Sequence, residues 1–201
     1  MNQRPAIDLA GLPTFGLGPR SPTWWGTLGF MALEGMGFAL AAGAYLYLAT
    51  LWPDWRLSAP APNHWPGTIV TLLLIVSLVP NHILNRYAKQ CSMGPVRIGM
   101  VVMSLLGLAP FVVRWFEFPA LNIYWDTNAY GSMLWVLLGL HTTHLITDVG
   151  DTIVLTVLMF THHGYSGRRF GDVGDNVFYW DFVVLTWIPI YLLIYWLPRL
   201  G

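Results

Sequence analysis

From Trp24 to Trp52 the chain carries a single charged residue, Glu34, within an otherwise apolar, aromatic and small-residue run. At a rise of about 1.5 Å per residue this run can cross roughly 30 Å of hydrocarbon as a helix. Hydrocarbon offers no water to backbone N–H and C=O groups, so a spanning segment of this kind must pair them internally, which an α-helix does. The same constraint reaches the whole chain. Of its 201 residues 55% are hydrophobic and 10% charged, and the mean hydropathy is +0.54, whereas soluble domains are about a quarter charged. The chain reads as an all-α integral membrane protein.

Further spans follow from hydropathy and breakers. The first ends at Trp52-Pro53-Asp54, an interfacial aromatic followed by a proline. The second is expected from about Trp65 to Ile83, with Pro80 inside it and Asn81 and His82 beside the carbonyl that the proline leaves unpaired. A third covers about Val96 to Phe118, where Arg114 and Glu117 stand three apart and can pair on one face. A fourth starts near Tyr130 and a fifth is expected from about Val177 to Leu197. The Gly-, Arg- and Asp-rich connector 164–176 reads as aqueous. Residues 1–23 read as a polar cytoplasmic tail without an apolar signal core, and 24–201 as one five-helix transmembrane domain.

Basic residues set the expected orientation. With five spans, one side collects Arg4, Arg20, Arg86, Lys89, Arg97, Arg168 and Arg169, and the other Arg56, Arg114 and Arg199. This bias puts the N-terminus inside and the C-terminus outside. The zero formal charge gives no reason to expect nucleic acid as a partner. The lone Cys91 cannot make an internal disulfide and reads as an inert small side chain. No thiolate pair, phosphate-cradling Gly-rich loop or hydrolase elbow occurs, so no self-contained active site is visible.

Ionisable groups inside the spans are the candidates for function, because lipid does not tolerate them. His141, His144, Asp148 and Asp151 are spaced by three, four and three residues, which makes one polar stripe on one helical face. Three readings stay open for it: a structural network between helices, a proton relay, or a metal site using His141, His144 and a carboxylate of Asp148 or Asp151. The stripe runs over about 15 Å of helix axis, so one helix alone cannot close a metal site. Glu34 and His82 are candidates for a proton or lipid cleft. Asp181, expected near the entry of the fifth helix, would cap its N-terminus or pair across to the fourth. Arg168 and Arg169 would meet lipid headgroups. Small residues along the first span, from Gly35 to Ala44, suit close approach of a partner helix.

Several segments, taken together and in order, carry a resemblance. Phe30-Met-Ala-Leu-Glu34-Gly-Met-Gly-Phe38-Ala39, Ala129-Tyr-Gly-Ser132 with Gly139-Leu-His141-Thr-Thr-His144, and Tyr179-Trp-Asp181-Phe-Val-Val184 with Tyr195-Trp-Leu197 resemble helices of the haem-copper oxidase subunit III family, specifically cytochrome c oxidase subunit III. The chain departs from the family's last-helix pattern at Asp181 and Val184, and Asp148 and Asp151 extend the stripe beyond the usual pattern. The resemblance implies a five-helix bacterial form lacking the family's first two helices. It also implies an accessory, non-catalytic subunit of a multi-pass complex in the bacterial inner (plasma) membrane. Such a subunit has no cofactor of its own and packs on subunit I, which holds haem and copper, among other respiratory-complex subunits. It binds phospholipid and supports proton uptake, with Glu34 as the cleft carboxyl. A subunit III-like protein of nitric oxide reductase is the neighbouring alternative.

Overall fold

The computed structural model describes residues 21–52, 55, 56, 59–165 and 167–200. The expected tail therefore lies outside the described residues except for 21–23, which already open the first helix. Five helices are long and apolar enough to span a membrane, and among the described residues there is no strand. They are α1 (Pro22–Leu51), α2 (His64–Lys89), α3 (Met93–Glu117), α4 (Ala129–Phe160) and α5 (Gly167–Tyr191); a π-helical turn, Leu192–Trp196, carries α5 into the short α6 (Leu197–Leu200).

The starts of the helices are chemically marked. The Ser21 hydroxyl accepts from the Trp24 N–H at 3.1 Å, with Pro22 in the first turn; the Asn63 and Asn128 side chains accept from Trp65 at 3.3 Å and Gly131 at 2.8 Å. Each cap satisfies one of the amides that a helix start leaves open. The α2–α3 turn is closed by Cys91, whose φ of 52° lies in the left-handed region, and the Cys91 N–H bonds the Ala88 carbonyl at 3.0 Å.

Helix α4 is the axis of the bundle. Its buried face repeats at helical spacing through Tyr130, Leu134, Leu137, His141, His144, Leu145 and Asp148, and it packs on α1, α3 and α5. Helix α5 packs on α1, α2 and α4, so α4 and α5 form the centre, with α1 on one flank and the α2–α3 hairpin on the other. Helix α1 is the most exposed span, burying only Met31, Phe38 and Tyr45, each seven residues apart. Close approaches use glycine: a methyl at Gly67 would strike the Tyr195 ring, and one at Gly107 would lie 2.7 Å from Val149 Cγ2.

Two expectations are corrected. The last helix begins at Gly167 and not near Val177, so the connector 164–176 is mostly helical. Phe170, Val173 and Val177 supply an apolar stripe at helical spacing, Val173 and Val177 being buried, and Arg169 pairs with Asp172 one turn away at 2.9 Å; packing outweighs the glycines' poor propensity. Helix α2 also runs on past Ile83 to Lys89, which places Arg86 on the helix.

At Gly131 the space is closed by backbone: an added Cβ would drive into the Tyr124 carbonyl oxygen, whereas Gly139 faces open space. Gly131→Ala should therefore destabilise by about 1–3 kcal/mol, read as a lowered thermal midpoint in detergent, while Gly139→Ala leaves the midpoint unchanged or slightly raised. Equal midpoints for the two variants would contradict the packing described.

Candidate functional site

Arg114 and Glu117 lie near the end of α3 on one face, as their spacing predicts, and both are buried. Arg114 Nη1 donates to Glu117 Oε2 at 2.5 Å, and the Tyr195 hydroxyl donates to Glu117 Oε1 at 2.5 Å. Tyr195 sits in the π-helical turn, where the wider register turns Ile194 and Tyr195 into the bundle. The guanidinium also stacks 4.1 Å above the Trp187 ring. Its Nη2 meets His141 Nδ1 at 2.7 Å. A guanidinium has no acceptor, so Nδ1 must accept and the ring proton resides on Nε2, which donates to the Val183 carbonyl at 3.2 Å. Both His141 nitrogens are thereby engaged.

One turn along α4 the chemistry changes. The Tyr179 hydroxyl donates to Glu34 Oε2 at 2.6 Å, and His144 Nε2 lies 3.1 Å from the same oxygen. That approach is close but not aligned as a hydrogen bond, and among the described residues neither His144 nitrogen has a hydrogen-bond partner. Phe38, Tyr179 and Phe182 enclose the imidazole at 5.2–5.3 Å between ring centroids. Asp148 is fully buried; its Oδ1 accepts from Asn176 Nδ2 at 3.4 Å, while Oδ2 has no partner among the described residues. Asn176 also donates to the Thr152 hydroxyl at 3.0 Å. Asp151 is exposed and forms part of the wall of a cavity of about 810 Å³ between α1, α4 and α5, together with Thr147, Asn176, Tyr179, Arg169 and Asp172.

The four-residue stripe is therefore divided. His141 belongs to the Arg114–Glu117–Tyr195 cluster, His144 and Asp148 stand beside Glu34 and Asn176, and Asp151 faces the cavity. With His141 fully engaged, His141, His144 and Asp148 do not converge as metal ligands. Among the described residues no group of three His, Cys, Asp or Glu side chains is arranged to hold a metal ion.

His82 and Asp181 lie elsewhere. Asn81 Nδ2 donates to Asp181 Oδ1 at 3.0 Å and to the Val177 carbonyl at 3.1 Å, and His82 Nδ1 is 3.6 Å from the same Asp181 oxygen. Asp181 is thus deep in α5 and pairs with α2; it neither caps α5 nor reaches α4. Asn81 likewise serves α5, not the carbonyl freed by Pro80. Tyr179 and Asp181 are two residues apart, about 200° around the helix, so His82 and Glu34 lie on opposite sides of α5 and share no cleft. Arg169 lines the cavity; the side chain of Arg168 lies outside the described residues.

Sequence reading missed Asn176, hidden in a glycine- and aspartate-rich segment, and the role of Tyr179 as the donor to Glu34. A stripe search extended back through Val173 and Val177 would have placed Asn176 on the buried face of a helix. The joining of Arg114 to His141 has no local signal, because it depends on how α3 meets α4.

Replacing Arg114 by Met strands the Glu117 carboxylate in the core. The expected cost is about 3–5 kcal/mol, of which Arg114→Met with Glu117→Leu recovers a large part, since the pair's own desolvation is removed with it. Thermal unfolding in detergent checks this, and a double variant no more stable than the single one would refute it.

Comparison with known proteins then adds a family. The sequence model described as cytochrome c oxidase subunit III matches residues 28–199. The chain is 25% identical over 176 residues to the cytochrome c oxidase subunit 3 of Thermostichus vulcanus, covering 87% of each protein. It is 26% identical over 182 residues to that of Locusta migratoria, covering 86% of this chain and 68% of the relative. With that of Loxodonta africana it shares 31% identity over 180 residues, covering 81% and 68%.

Proposed function

The chain belongs to the cytochrome c oxidase subunit III family, and from that premise we propose that it serves a respiratory haem-copper oxidase by packing on subunit I, binding phospholipid along the Glu34 flank, and sustaining proton uptake during oxygen reduction. Haem and copper reside in the partner. The complex sits in a bacterial inner (plasma) membrane, with the N-terminus of this chain inside. The relatives compared are oxidase subunits by name, which favours oxygen over nitric oxide as the acceptor.

One observation carries this reading: Glu34, the sole charged residue of α1, stands on the bundle's most exposed helix and is held by Tyr179, itself a wall residue of the 810 Å³ cavity. A phenol is both donor and acceptor, so Tyr179 can hand a proton between cavity water and the Glu34 carboxyl while keeping one hydrogen bond throughout. The cavity carries Arg169, paired with Asp172 through Nη1, for a lipid phosphate and Asp151 for water or an ammonium. Its apolar wall, including Phe30 and Leu155, suits acyl chain.

Glu34→Gln in the intact complex tests the reading. Initial oxygen consumption should stay near the wild-type rate, while the number of turnovers before activity decays falls several-fold and proton uptake slows. Tyr179→Phe should give a weaker form of the same defect. Unchanged turnover lifetime and uptake in Glu34→Gln, and in complex stripped of this chain, would remove the proposed role.

A further inference from the structure

We propose that the seam between α2 and α5 that carries His82 and Asp181 is the face that docks on the haem-bearing subunit, and that the occupant is a transmembrane helix offering a hydrogen-bonding side chain at that depth. The identity of the occupant rests on the accessory-subunit reading above. The choice of face rests on geometry alone.

The His82 side chain is 60% exposed and that of Asp181 37% exposed. Asp181 lies six residues, about 9 Å along the axis, beyond Asp175 toward the middle of the span, and His82 four residues, about 6 Å, inward of Arg86. Ionisable groups at such depth face protein or a water-filled cavity and not lipid tails. Four acids of the other spans are placed within this chain: Glu34 beside Tyr179, Glu117 beside Arg114, Asp148 buried with one oxygen on Asn176, and Asp151 opening on the cavity. The His82–Asp181 pair is partnered by Asn81 but lies open on the outside of the bundle. Asn81 serves Asp181 Oδ1 only; among the described residues Asp181 Oδ2 and His82 Nε2 take no hydrogen-bond partner.

The flanking residues make the pair part of a strip. Ile75, Val79 and His82 are spaced by four and three on α2, and Asp181, Leu185 and Ile188 by four and three on α5; all four aliphatic members are exposed. Because the two helices are antiparallel neighbours, these rows lie side by side, apolar along most of their length and polar at one end. Helices in lipid associate through packing and interhelical hydrogen bonds, and this strip presents both. The exposed row of α3, Ile98, Leu105 and Val112, is apolar throughout and suits lipid.

The test places a photo-crosslinking benzoylphenylalanine at Val79, Leu185 or, as control, Val112, in the whole complex isolated with its native lipid. Expected are covalent adducts with the haem-bearing subunit from Val79 and Leu185, identified by mass spectrometry, and lipid adducts alone from Val112. A paired variant, His82→Leu with Asp181→Asn, should lower the amount of this chain retained per haem several-fold under detergent washing, with the chain's own thermal midpoint unchanged. Lipid adducts alone at Val79 and Leu185 in a complex that still holds both subunits would overturn this face and leave the accessory reading standing. Capture of a different membrane protein at these positions would overturn the named occupant. A chain isolated without any haem-bearing subunit would overturn both.

Discussion

Hydrocarbon gives nothing back to a polar group, and the internal order of this bundle follows from how each ionisable side chain is answered. Arg114 is the clearest case. Its guanidinium serves the Glu117 carboxylate, the His141 ring and the Trp187 face at once. These contacts tie α3, α4 and α5 together at a level where no water competes for the donors. Such an arrangement is weak evidence for stability by itself, since both charges must be stripped of solvent. Its geometric effect is firm: α3 cannot rotate against α4 without taking the donor away from the buried His141 Nδ1.

Packing supplies the remainder of the order, and it works through absence of side chain as much as through its presence. Without a hydrophobic drive between helices, contact area and hydrogen bonds carry association. The Tyr195 ring occupies the space left by Gly67, and in doing so delivers its hydroxyl to Glu117. Val149 occupies the space left by Gly107. At the C-terminal end Arg56 donates to the Pro198 carbonyl, and Arg199 Nη2 donates to that of Pro62 at 2.5 Å. The end of the last helix is thereby fastened to the α1–α2 connection, and helix-terminal carbonyls find donors that the helix itself lacks.

What was legible in the sequence divides along the line between local and non-local chemistry. The five spans could be read because apolar length and breakers are properties of a segment, and the Arg114–Glu117 pair could be read because a three-residue spacing is a helical neighbour. The start of α5 could not. Gly167, Gly171 and Gly174 signal a loop, and only burial of Val173 and Asn176 against other helices overrides them. The polar stripe of α4 was visible as a row, yet its division into His141 on one side and His144 with Asp148 on the other depends on which residue of α3 or α1 stands opposite. Asp181 shows the same limit, because its partner on α2 is a hundred residues away.

That division also determines what the stripe can do. A hydrogen-bonded relay needs every member to accept a proton on one side and release one on the other. His141 cannot: Arg114 fills its Nδ1 with a donor that has no acceptor to offer, and the Val183 carbonyl on Nε2 has no proton to give. Beyond it, Glu34 meets the cavity through Tyr179 and Asp148 meets it through Asn176, both of which line its wall. A row of protonatable groups blocked at His141 does not by itself make a hydrogen-bonded file through α4. On the function proposed above, beside a partner that builds a proton gradient, this closed end matters, because a continuous file through α4 would discharge that gradient.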